Sequence, residues 1–185
     1  ARHCGITIIY IKADQSLLST IGQLQQRATF HILQEYARSG VFKEIFFLDN
    51  LMVSAIMGDV PIADYYSSIN KMVVPMIHWL NVFNNSNPIM TTFSPLAETS
   101  RIKTISMVDM ERGSEKMLFS LDNATEARYY YAISAKSLKE DSSLNNKIRN
   151  QIKERNVRTS FAIHETAYDN NFCYGIICSR QVQEF

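Results

Sequence analysis

Glycine is scarce in this chain of 185 residues: there are six, and no two are adjacent. No stretch can therefore form a nest of consecutive backbone amides around a triphosphate. Cysteine is scarcer still, with Cys4, Cys173 and Cys178 making an odd set that lacks a C-x-x-C pair. Such a set is no disulfide framework and fits a reducing, cytoplasmic setting. The four histidines, His3, His31, His78 and His164, are scattered without an H-x-x-x-H spacing, so no metal centre is expected. Apolar runs all fall far short of the roughly 20 residues of a membrane span, and no membrane partner is expected. A formal net charge of +1 gives no bulk attraction to nucleic acid or anionic lipid. No G-x-S-x-G elbow marks a hydrolase nucleophile. No signal peptide is visible, and strand-like sequence follows almost at once from Ala1. The chain is therefore expected to be a piece of something longer.

What is present has the balance of a globular protein: 46% hydrophobic and 20% charged residues. Its length suffices for one domain or two small ones. Residues 5–12 are β-branched and nearly continuously apolar, which predicts a strand buried in a mostly parallel sheet. Over 20–38, Leu24, Ala28, Ile32, Leu33 and Tyr36 recur at helical spacing, and Ser39-Gly40 is a stop signal. A second buried strand over 43–48 ends at Asp49-Asn50, and a short helix follows to about Met57. Pro61 suits the first turn of the next helix. Pro75 falls inside that helix, where it should kink it at a cost of about 3 kcal/mol. Residues 83–100 form the one long irregular stretch and divide the chain into two halves. In the second half, strands are expected over 103–109, 128–135, 159–166 and 172–179, with helices over 113–121 and 144–155. The last two strands should form a hairpin across Tyr168-Asp169-Asn170-Asn171. The class is α/β: a mostly parallel sheet portion with a long central helix, then a smaller α+β C-terminal domain.

The central helix is the most informative element. Ile62, Tyr66, Ile69, Val73, Met76 and Leu80 make one apolar stripe, and Val74 and Ile77 add a second face, so burial on most sides is expected. Tyr66 and Asn70 stand one turn apart on one face. A planar aromatic beside a side-chain amide suits a flat heterocycle, which needs a stacking partner and a paired donor and acceptor. The plainer alternative is a packed tyrosine with its hydroxyl at the surface and an asparagine of no special role. Cys173 and Cys178 should point to opposite faces of their strand, and Tyr129-Tyr130-Tyr131 should straddle another. The basic cluster Lys136, Lys139, Lys147, Arg149, Lys153, Arg155 and Arg158 alternates with Glu140, Asp141 and Glu154, as on a solvated face.

Two segments resemble the tubulin/FtsZ superfamily, closest in pattern to the TubZ-type phage and plasmid tubulins. One is IFFLDN at 45–50, and the other is YSSIN at 66–70 at the start of the central helix. The order of elements on either side of the 84–100 stretch is similar as well. The resemblance implies that 1–83 is the C-terminal part of a nucleotide-binding domain, 84–100 a catalytic-type loop, and 101–185 the C-terminal domain. It also implies GTP or GDP as ligand, with Asn50 and Asn70 on the guanine, Tyr66 stacked on it and Arg27 near ribose or phosphate. Self-assembly into filaments would follow, for DNA, plasmid or phage-genome positioning, with a DNA-bound adaptor as partner. Two departures stand against this. The family's glycine-rich phosphate loop is absent, so any Mg2+ would come with a missing half. The loop's first carboxylate is Glu98, late in the segment, which makes it a weak candidate for the catalytic acid and leaves GTP hydrolysis in doubt. The alternative is a non-enzymatic α/β interaction module that has lost its nucleotide chemistry.

Overall fold

The computed structural model describes residues 5–184; Cys4 and His3 lie outside them. In chain order the elements are β1 (Thr7–Lys12), α1 (Thr20–Arg38), β2 (Glu44–Asp49), α2 (Asn50–Met57) and α3 (Tyr65–Asn84). After a long irregular segment come β3 (Ile102–Val108), β4 (Glu115–Met117), β5 (Ala124–Ser134), α4 (Ala135–Glu140), α5 (Leu144–Lys153), β6 (Arg158–Thr166) and β7 (Phe172–Ser179). The strands make one sheet in the order β1-β2-β3-β7-β5-β6, with β4 paired to β3. The portion β1-β2-β3 is parallel, as is β5 with β6, while β7 runs antiparallel to both β3 and β5. One sheet thus passes from the first half of the chain into the second, where Ile45 of β2 stands beside Ile102 of β3.

Strand periodicity assigns the two faces. Tyr129 and Tyr131 join one core with Ile45, Phe47, Phe30 and Cys173, while Tyr130 joins the other with Leu48, Ile176 and Cys178. The tyrosines straddle β5 and the cysteines straddle β7 as their spacing predicts, and both thiols are buried and free. Helix α1 covers the first face through Phe30 and Ala37. Helices α2 and α3 cover the second through Val53, Ile69, Val73, Met76, Leu80 and Phe83.

Several expectations are corrected. Strand β1 is an edge strand, pairing among the described residues with β2 alone. It is exposed on alternate residues, with Ile9 and Ile11 at 41% and 45%, because only the face carrying Ile8 and Tyr10 packs against a core. The buried stripe of α1 is Phe30, Gln34 and Ala37; Leu24, Ile32 and Tyr36 face solvent. Helix α3 buries one face only, from Ile69 to Phe83: Val74 is 58% exposed, and the first two residues of the expected stripe, Ile62 and Tyr66, lie ahead of the covered part and face solvent. Pro61 lies ahead of a separate 3-10 turn, Ile62–Asp64, and α3 begins at Tyr65. Pro75 sits within α3 on its exposed side, where its ring meets solvent rather than core. Residues 113–121 contain strand β4 rather than a helix, because Glu115 is drawn to Arg155 and Tyr129 far along the chain. Strands β6 and β7 form no hairpin, since the deeply buried β5 lies between them and pairs with both. Helix α4 went unpredicted; Ser134 starts it by accepting a hydrogen bond from the Ser137 amide.

Candidate functional site

Parallel α/β sheets gather ligands beyond the carboxyl ends of their strands. There, Lys12 and Asp49 end β1 and β2 side by side, with Lys12 Nζ 3.3 Å from Asp49 Oδ2. The other oxygen, Asp49 Oδ1, accepts the Leu51 amide at 2.8 Å and so caps α2. Asp49 therefore sets the direction in which α2 leaves the sheet and, with it, the position of Asn50, the first helical residue. Asn50 Oδ1 is buried and has no hydrogen-bond partner. A buried amide oxygen left unpaired costs about 1–3 kcal/mol, which a donor brought by a ligand would recover.

A second tie joins α2 to α3. Ser54, one turn after Asn50, donates to the Asn50 carbonyl at 2.7 Å and meets Tyr65 Oη at 2.9 Å. The Tyr65 ring stands edge-on to Tyr66 at 5.3 Å between centroids. Tyr66 is itself 71% exposed, and Asn70 is exposed one turn further along the same face. The Ser54–Tyr65 contact thus ties the helix that begins with Asn50 to the start of α3, which carries Tyr66 and Asn70 on its exposed side. The structure does not bring Arg27 and Glu98 to this α2–α3 junction. Arg27 is carried by α1 on the opposite face of the sheet and is exposed. Glu98 lies beside the start of β2 with Lys43 and Glu44, whereas Asn50 follows the end of that strand.

Sequence reasoning missed Asp49, Lys12, Ser54 and Tyr65 as the groups that orient the site. A signal existed for two of them: Asp49 is a favoured cap residue directly ahead of a helix, and Ser54 stands four residues after Asn50.

The irregular segment after α3 is stitched to the sheet. Ile89 and Met90 bond to Ile163 of β6, and Thr91 Oγ1 donates to the Phe161 carbonyl at 2.5 Å. Further on, the Ala97 amide donates to Glu126 Oε2 at 3.0 Å. Glu126 is 2% exposed and is approached by Arg158 and Arg180. Burial pushes the Glu126 carboxyl up, but the Ala97 amide and the two guanidiniums outweigh it and hold it below its ordinary value.

Among the described residues, no three His, Cys, Asp or Glu side chains gather as a metal site would require, and no helix is long and apolar enough to cross a membrane. No protein-family model matches the chain, and no curated protein does. Solved structures do. A GTPγS-form protofilament of TubZ from Bacillus thuringiensis serovar israelensis aligns with a TM-score of 0.70 and 16% identity, over 95% of this chain and 52% of that one. An FtsZ dimer from M. jannaschii aligns at 0.63 and 10% identity, over 94% and 55%. CetZ from Methanosaeta thermophila strain DSM 6194 aligns at 0.60 and 17%, over 94% and 52%. The chain has the fold of these tubulin/FtsZ-type structures and spans about half their length.

Proposed function

We propose that this chain is the base-binding and C-terminal portion of a tubulin/FtsZ-like, GTP-binding protein that self-assembles into filaments. The observation that supports the reading is the unpaired, buried Asn50 Oδ1 on a helix tied through Ser54 and Tyr65 to the start of α3, where Tyr66 and Asn70 are exposed. Guanine offers ring faces for Tyr66, N–H donors for an amide oxygen, and a carbonyl for an amide N–H. Residues 1–83 carry the α2–α3 junction, 84–100 form the loop that meets the next subunit, and 101–185 form the C-terminal domain. A phosphate-binding half, on a preceding segment or a separate chain, supplies the glycine-rich loop and any Mg2+. The setting is cytoplasmic, the partners are further copies and a DNA-bound adaptor, and the role is positioning of plasmid or phage DNA.

The test is guanosine nucleotide binding by the chain together with its phosphate-binding half. Asn70→Asp replaces a donor by an acceptor and should lower guanine affinity about tenfold, the scale of one lost hydrogen bond plus the pairing fault it creates. Unchanged GTP affinity would remove Asn70 from the site. The absence of any glycine cluster and the position of Glu98 away from the junction favour a second reading, a module that keeps the shape without the chemistry. Light scattering separates the two: a filament protein scatters more on adding GTP, and the module does not respond.

A further inference from the structure

A cleft of about 910 Å³ opens between the C-terminal half of α3 and the sheet, within the size range of small-molecule sites. It adjoins the start of β2, so it is separate from the base-reading junction beyond that strand's end. Its apolar lining comes from Ile77 and Leu80 of α3, Phe46 of β2 and Ile105 of β3. Its polar lining is unusually rich in cations: Lys43, Arg101, Lys103 and Arg128, against the carboxylates Glu44 and Glu98.

The hydrogen bonds show which charges are already offset. Lys103, 7% exposed, is paired with Glu44. Burial pushes the Glu44 carboxyl up, but Lys103 outweighs it, helped by the Thr7 hydroxyl and the charge of Lys43, so it stays ionised below its usual value. One carboxylate therefore answers two ammonium groups. The two guanidiniums are met by neutral carbonyls instead. Arg101 donates to the carbonyls of Glu98 and Phe42. Arg128 donates to the Ser94 carbonyl at 2.7 Å and stacks 5.2 Å over Phe93, while its Nε–H is buried without a partner. Carbonyl acceptors satisfy a guanidinium's geometry without neutralising its charge, and a partly desolvated positive charge favours an anionic partner.

We propose that this cleft binds a small organic anion with a short aliphatic body. The anionic head lies by Arg128 and Lys43, and the body packs against Ile77, Leu80 and Ile105. Octanoate serves as the probe, with 1-octanol as the uncharged control of equal chain length. Titration of the 185-residue chain, followed by amide NMR shifts, should give saturable octanoate binding centred on Lys103, Arg128 and Asn81. The alcohol should bind at least about tenfold more weakly, and Arg128→Gln should cost octanoate about tenfold. Lys43→Gln, on the exposed rim, should cost about threefold and carries the test if Arg128→Gln does not fold. Equal binding of the alcohol would overturn the anion site. So would shifts centred on Ile21, Leu24 and Ile32 of α1, or a failure to saturate.

Discussion

Gly175 of β7 leaves no room for a side chain. A Cβ built there would stand 2.3 Å from Ser106 Oγ and 2.8 Å from Tyr129 Cε1. Both neighbours are held by Glu115, which accepts from Ser106 at 2.5 Å and from the Tyr129 hydroxyl, and pairs with Arg155 at 2.5 Å. Neither can retreat without opening a buried polar network, so Gly175→Ala should destabilise by about 3 kcal/mol, read as a lower denaturant midpoint at unchanged slope. His164 carries a pH effect. It is 4% exposed, packs 4.7 Å from the Phe83 ring, and meets Ser86 Oγ at 3.2 Å through Nδ1, while Nε2 is buried and unpaired. Burial holds its pKa below the ordinary 6.5. The unfolded chain therefore binds the proton more readily than the folded one, so stability is full above about pH 6.5 and falls as pH drops below it toward the folded value. Unfolding midpoints between pH 7 and 5 should decline for the wild type and decline less for His164→Gln.

At the scale of elements, α1 has two apolar faces and the sheet accepts only one. Phe30 is fully buried and its ring lies 4.6 Å from Phe47, so Phe30→Ala should cost about 3–5 kcal/mol. Leu24 is 61% exposed, and Leu24→Glu should change the unfolding free energy by less than about 0.5 kcal/mol. Equal losses in the two variants would mean that the stripe at Leu24, Ile32 and Tyr36 is covered. The same element shows where sequence reading succeeds and where it stops. Spacing alone cannot say which of two apolar stripes meets the sheet, because the choice depends on the Ile45 and Phe47 surface elsewhere in the chain. In α3 only one stripe has the full length of the helix, so Ile69, Val73, Met76 and Leu80 were legible as core. Strand partners are not a local property either: β6 and β7 adjoin in sequence, yet β5 separates them because its tyrosines fill both cores. In the candidate site, the placing of Tyr66 and Asn70 one turn apart was legible because one helix carries both. The Lys12–Asp49 and Ser54–Tyr65 ties were not, since each joins segments that meet only after folding.

At the scale of the molecule, apolar surface is unevenly covered. The β6 side of the sheet is guarded by the segment after α3 through the Met90–Ile163 bridge. On the β1 side, Ile6, Ile9 and Ile11 are each more than 40% exposed, and among the described residues no strand pairs beyond β1. An unguarded strand edge of β-branched residues is a template for pairing with another strand. A phosphate-binding half would lie on this edge under the proposed function, and its arrival would remove the exposure. Without it, the edge favours pairing between copies, so the chain alone should sediment faster as its concentration rises. Ile9→Lys places a charge on the outer strand without touching the core cluster and should suppress that rise. Its unfolding midpoint should stay close to that of the wild type, because Ile9 belongs to neither core cluster and a lysine stem can cover the same strand surface while its ammonium reaches water. Persistence of the association in Ile9→Lys would move the contact off the β1 edge, and the exposed stripe of α1 would then be the surface to alter next, by Leu24→Glu.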